Sequence, residues 1–266
     1  MNITVSGACD STRLHLSLKP STSGETLIDL TNMSFVTPMG LIAVMITAEH
    51  SASRGQKVTL RRPLQRDPAV YTSRIYKESI LDAYDVTHDL PPVNRRPRET
   101  LLEFTRFDSR QTAQDFAKRV GAMVIKKDRE RGEALHDALS EWGDNVTRHA
   151  EVSGGFAMAQ EYASPTRRLH FAVGDAGIGF RSALGISRTS NDLDAIRKAL
   201  AGMSSRSDTS AGRGDGLRGI KEQVIALGGS LTISSGRGHH RVGSHAFSHL
   251  RNLGFPGSVL EGVVQL

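Results

Sequence analysis

The chain has 266 residues, 38% hydrophobic and 23% charged, a globular composition that excludes a disordered chain and leaves room for one or two domains. One cysteine, Cys9, excludes a disulfide framework and a cysteine-based zinc site, and fits a reducing cytosol. The net charge of +6 is scattered through "LRRP", "NRRPR", "KKDRER" and "TRR" with only 5% aromatic residues, which excludes an evident base-stacking platform. Acidic proteins or nucleotide phosphates suit that charge as well as nucleic acid does.

In chain order, "MNITVSGACD" lacks a basic start and an apolar run, so no signal peptide is expected. "LHLSL" and "ETLIDL" read as strands, "PMGLIAVMITAEHSAS" as a helix, and "KVTLRRP" as a strand returning after Arg54-Gly55. The apolar run inside that helix, at 39–48, is about half a membrane span. Cytoplasmic location without a membrane segment is therefore expected. Strands alternating with helices predict a small α/β domain over 1–90. "HDLPPVNRRPRE" at 88–99 clusters prolines with like charge, which breaks helix and strand periodicity alike. A linker over 91–100 follows from it, and a second domain over 101–266.

That domain opens with "LLEFTRF", a strand, and a long helical tract from about Ser109 with a short break near Gly132. "RRLHFAVGDAGIGF" is a strand ending in glycines, "SNDLDAIRKALAG" a helix, and "SSRSDTSAGRGDG" a flexible loop. "LRGIKEQVIALGG" is a helix closed by Gly-Gly, and "SLTISSG" and "GSVLEGVVQL" are the last strands. No internal repeat is visible. The fold class expected is mixed α/β (α+β), a two-layer sandwich behind a smaller α/β domain.

Three stretches carry chemistry. In "SEWGDNVTRHA", Glu141, Asn145 and His149 stand four apart and stack as a polar stripe on one helix. Leu135, Ala138, Leu139, Trp142 and Val146 recur beside them as the buried face. In "VGDAGIGF", a strand delivers Asp175, an acceptor suited to an exocyclic amine, while Gly177 and Gly179 allow a tight turn and a close ligand. In "AGRGDGLRGI", Gly212, Gly214 and Gly216 precede a helix starting near Leu217, whose unpaired N–H groups and dipole make a phosphate cradle. The loop is not a Walker A site, and its glycines do not sit in the first turn of a βαβ unit. Taken singly, each stretch reads equally as a solvated helix side, a glycine-rich turn or a hinge.

Together, in this order and about thirty to forty residues apart, they resemble the N, G1 and G2 boxes of the GHKL ATPase superfamily, over about residues 100–266. The resemblance implies a Bergerat-type ATP-binding sandwich with ATP and Mg²⁺ as cofactors. It implies that Asn145 holds Mg²⁺, that Glu141 orients or deprotonates the attacking group, and that Asp175 reads the adenine amine. Gly177 and Gly179 pack under the base, and residues from about 181 to 212 form a lid closed by Gly212, Gly214, Gly216 and Leu217. His149 either lines the phosphate side or packs structurally.

"ALSEWGDNVTRHA" is most similar to bacterial anti-sigma-factor serine kinases, and "LIDLTNMSFVTPMGLIAVMITAEHSASRGQKVTL" resembles a STAS domain over about 10–90. Such a domain's phosphoacceptor position holds Pro38, with Thr37 beside it, so a docking or regulatory role is implied instead. "GRGHHRVGSHAFSHLRNLGFPG" is longer than the family's turn. Its His239, His240, His245 and His249 lack a cysteine or a near carboxylate, and the segment reads as a solvated insertion. The expected function is an anti-sigma-type serine/threonine kinase acting on a separate protein partner. The alternative is an ATP-gated switch with slow or no turnover in a signalling or defence assembly. A third reading, nucleic-acid binding, rests on charge alone; a homodimer is left open.

Overall fold

The computed structural model describes residues 2–10, 18–19, 24–94, 99–149, 154–163, 165–203 and 216–266, and of 144–149 only the backbone. The protein is mixed α/β, with one mostly parallel and one antiparallel sheet. It divides into two compact units, 1–99 and 100–266.

The first unit is built on β1 (Asn2–Cys9), β2 (Leu18–Lys19), β3 (Glu25–Val36), β4 (Lys57–Arg61) and β5 (Val86–His88), in the order β2-β1-β3-β4-β5. Only the β1–β2 pair is antiparallel. Parallel neighbours need crossovers. Helix α1 (Pro38–Ala52) carries the chain from β3 to β4, and α2 (Arg66–Ile75) with α3 (Glu78–Asp82) from β4 to β5. Pro38 opens α1, where its missing N–H costs nothing. The helix is apolar on every side and accordingly lies inside, with Pro38 to Ala48 all buried. Tyr76 donates to the Leu41 carbonyl at 2.7 Å from full burial, which pushes its phenol well above the ordinary range and keeps it a donor. Of the expected strand "LHLSL", Leu18 falls in β2 and the rest lies outside the described residues.

The second unit has five antiparallel strands in the order β6-β7-β8-β10-β9. They are β6 (Leu101–Phe107), β7 (Gly155–Tyr162), β8 (Arg168–Asp175), β9 (Ser230–Gly243) and β10 (Phe247–Gln265). Helices α4 (Arg110–Ile125), α5 (Arg129–His149), α7 (Asp192–Leu200) and α8 (Gly216–Ala226) share a core with this sheet through Val120, Leu139, Phe171, Ile196, Ile220 and Leu260. A short α6 (Gly179–Leu184) follows β8. On the sheet's other face Phe104, Phe156, Met158, Ala172 and Val259 are buried too. Burial on both faces explains why "FAMA" and "FAVG" are apolar runs rather than alternating patterns.

Local chemistry sets the helix ends. Ser109 caps α4 in a reciprocal box with Thr112. Helix α8 stops where Gly229 N–H bonds to the Val224 carbonyl and Gly228 N–H to that of Ile225, a Schellman closure. The helical tract does break, but at Lys126–Asp128 rather than near Gly132, which lies in the first turn of α5. Gly132 serves packing: a Cβ there would fall 2.7 Å from the Ile125 nitrogen and 2.9 Å from the Gly121 carbonyl.

The histidine-rich segment differs most from expectation. It is a continuation of β9 and β10 as a two-stranded ribbon, pairing Arg241 with Phe247 and His239 with His249. His239 is fully buried with its ring centroid 4.9 Å from that of Phe247, so this part of the segment is packed, not solvated. Among the described residues no helix is long and apolar enough to cross a membrane, and no cluster of three His, Cys, Asp or Glu is placed to hold a metal.

Candidate functional site

Strand β8 ends in Asp175, which is 6% exposed. Its Oδ1 accepts from the Gly177 N–H at 2.9 Å, a turn in which the side chain organises its own backbone. Gly179 then takes φ +75°, a conformation that favours glycine, and starts α6. Ile178, between the two glycines, is 40% exposed and puts a large apolar side chain on the turn's outer side.

Two distant strands hold this turn. The Ser235 hydroxyl of β9 accepts from the Phe180 N–H at 3.0 Å and donates to the Gly257 carbonyl of β10 at 3.2 Å. Gly257, at φ +74°, lies so close that a Cβ would come 2.0 Å from the Asp175 carbonyl and 2.8 Å from Ala176 Cα. Neither Ser235 nor Gly257 is marked in the sequence. They stand 55 or more positions from the turn, and only the strand order makes them neighbours.

Helix α5 buries Leu135, Ala138, Leu139 and Trp142 as its pattern requires, and Trp142 meets Phe107 edge-on at 6.2 Å. Trp142 and Gly143 line a narrow crevice together with Phe107, Phe116 and Val173, two residues before Asp175. Positions 145 and 149 follow Glu141 by one and two turns on the same helix; the side chains of Asn145 and His149 lie outside the described residues.

Gly216 begins α8 against this helix. A Cβ on it would be 3.2 Å from the Trp142 nitrogen and 3.3 Å from the Glu141 side chain. Leu217, 7% exposed, is part of the core and fixes the helix start. Gly212 and Gly214 fall outside the described residues. The structure therefore brings Glu141 and Gly216 into contact, and seats α5 over the strand that ends in Asp175.

The expected lid is regular in its described part. Helix α7 buries Ala195, Ile196, Ala199 and Leu200, and Asn191 caps it by accepting from the Asp194 N–H. The Lys198 ammonium and then the Ser190 N–H hold the Asp194 carboxyl below its ordinary range. The same ammonium bonds to the Arg188 carbonyl, which ties the turn before α7 to the helix itself.

No family model matches the chain, and no curated protein matches it. Among solved structures it is similar to the mycobacterial sensor histidine kinase MprB, at 16% identity and a TM-score of 0.31, over 61% of this chain and 96% of that one. A likeness at that level carries no assignment.

Proposed function

We propose that the unit over 100–266 binds ATP with Mg²⁺ as a GHKL-type domain, and that the protein is an anti-sigma-type serine/threonine kinase acting on a separate protein. The observation that supports this reading is convergence. Glu141 of the first motif lies against Gly216 of the third, and Trp142 and Gly143 share a crevice with Val173, two residues before Asp175 of the second.

The residues present fit the nucleotide. Asp175 is fixed by its own turn and offers a carboxylate, an acceptor matched to the adenine amine. Ile178 supplies apolar surface for the base. The first turn of α8 turns its N–H groups and the positive end of its dipole toward the phosphates, a built-in anion site. Mg²⁺, when bound, neutralises phosphate charge, and Asn145 is the hard amide ligand the chain offers it. Glu141 orients or deprotonates the attacking hydroxyl.

Glu141→Ala separates binding from chemistry. The variant should keep the wild-type ATP affinity within about threefold and lose phosphate transfer by about 100-fold or more. Calorimetric titration measures the first and labelled ATP the second. Transfer at the wild-type rate in Glu141→Ala would sink the mechanistic half of the reading. Binding by the wild-type protein without any labelled product would select the switch alternative.

The first unit is read as a docking or regulatory module of STAS type that does not accept phosphate. Pro38 offers no hydroxyl, and Thr37 is 4% exposed at the start of α1, its Oγ1 making no hydrogen bond among the described residues. Full-length protein incubated with ATP and Mg²⁺ should therefore show no phosphate on its 30–50 peptide by mass spectrometry. Stoichiometric phosphate on Thr37, or on the exposed Ser34, would make the module a built-in substrate.

A further inference from the structure

One stretch of the chain is one-sided in charge. Residues 223–260 contain no aspartate or glutamate, and Arg237, Arg241 and Arg251 all fall in this stretch with His239, His240, His245 and His249. β8 makes its last pairing at Asp175 with Ser258, so β9 and β10 continue beyond it as a ribbon two strands wide. At about 3.4 Å per residue the arm from 236 to 243 reaches about 25 Å. Its tip and outer positions, Arg237, Ser244, His245, Ser248, His249 and Asn252, are exposed, and Leu250 is 45% exposed.

The arm is held as a rigid part. Asp192 of α7 accepts from the Arg237 N–H at 2.8 Å, and Arg197 donates to Ser248 at 3.1 Å. Two arginines brace the ribbon: Arg237 by one contact, Nε to the Arg251 carbonyl, and Arg241 by two, to the Ser230 hydroxyl and the Ser244 carbonyl. A guanidinium has five N–H donors, so Arg237 and Arg241 keep most of theirs for a partner, while Arg251 has its Nε buried and presents only its terminal N–H groups. Burial first and Arg197 second pull His240 below the ordinary imidazole value, against the opposing pull of the Phe247 carbonyl.

We propose that this β-ribbon is an interaction surface for double-stranded DNA. A major groove about 12 Å wide admits a two-stranded ribbon, and arginine forks match phosphate oxygens and base edges. The inference is independent of the nucleotide reading.

Fluorescence anisotropy of the full chain with a fluorescein-labelled 20-base-pair duplex, across a KCl series, tests it. Three phosphate contacts predict a slope of log K against log salt of about −2.7. Arg237→Gln/Arg241→Gln/Arg251→Gln should weaken binding at least about tenfold and flatten that slope. Leu250→Glu/Asn252→Glu, which spares the arginine braces, should weaken it too. Lys118→Gln/Arg119→Gln/Lys126→Gln removes the same charge from the exposed side of α4 and its C-cap and should leave affinity within about twofold. The three variants are compared at matched melting temperature. No salt-dependent duplex binding, an equal loss in the α4 variant, or binding to polyglutamate in place of the duplex would overturn the proposal.

Discussion

On the proposed reading, Asp175→Asn should lower ATP affinity by about tenfold to over a hundredfold while the protein keeps its melting temperature in the absence of nucleotide. The substitution is nearly isosteric, and an asparagine side-chain oxygen still accepts from the Gly177 N–H, so the turn survives. What changes is the group presented to the adenine amine. A charged acceptor becomes an amide, and a buried charge-assisted hydrogen bond is worth on the order of 1.5–3 kcal/mol, which sets the range. Calorimetry with ATP and with GTP measures it. Unchanged ATP affinity, or equal affinity of the wild-type protein for GTP, removes the adenine assignment.

Gly257→Ala should be among the most damaging single methyls in the second unit. The new Cβ meets backbone, the Asp175 carbonyl at 2.0 Å and Ala176 Cα at 2.8 Å, and backbone in a paired strand cannot step aside. A positive φ of +74° adds strain for any residue with a Cβ. Overpacking and strain together cost on the order of 3 kcal/mol or more, roughly 6–12 °C in melting temperature for a unit of this size. Because the displaced atoms belong to the Asp175 turn, ATP affinity should fall with stability. Gly24→Ala, which meets nothing within 4 Å, is the control and should melt like the wild type. Equal melting temperatures for the two variants would show that the strand can shift after all.

How legible the molecule is in its sequence depends on the range of the interactions involved. "LLEFTRF" is a strand as read, and the buried face of α5 is Leu135, Ala138, Leu139 and Trp142 as the helical repeat demands. The Gly-Gly end of α8 is equally local. The break in the helical tract was misplaced because Gly132 looks like a breaker, whereas its role is set by Gly121 and Ile125 across a helix pair. β1 and β7 went unread: "NITVSGAC" is interrupted by Gly7, and "GFAMA" is buried on both faces and lacks a period. The packed ribbon was unreadable for a similar reason, since histidine and arginine signal solvent unless strand pairing places an imidazole inside. In the candidate site Asp175 and its glycines announce themselves, while Ser235 and Gly257 do so only after the sheet is assembled.

The glycine contact between α4 and α5 bears on the order in which the chain assembles. These two helices are consecutive, joined by three residues, and approach closely at Gly121 and Gly132, with Ile125 and His136 packed beside the glycines. Closing so short a loop costs little chain entropy, and contacts between neighbours in sequence form fastest. The sheet is the opposite case, because β8 cannot join β10 until some eighty intervening residues are gathered. The helix pair is therefore expected to form before the sheet closes. A methyl at Gly121 or Gly132 slows refolding, whereas one at Gly257, added to a contact made last, leaves the refolding rate alone and hastens unfolding.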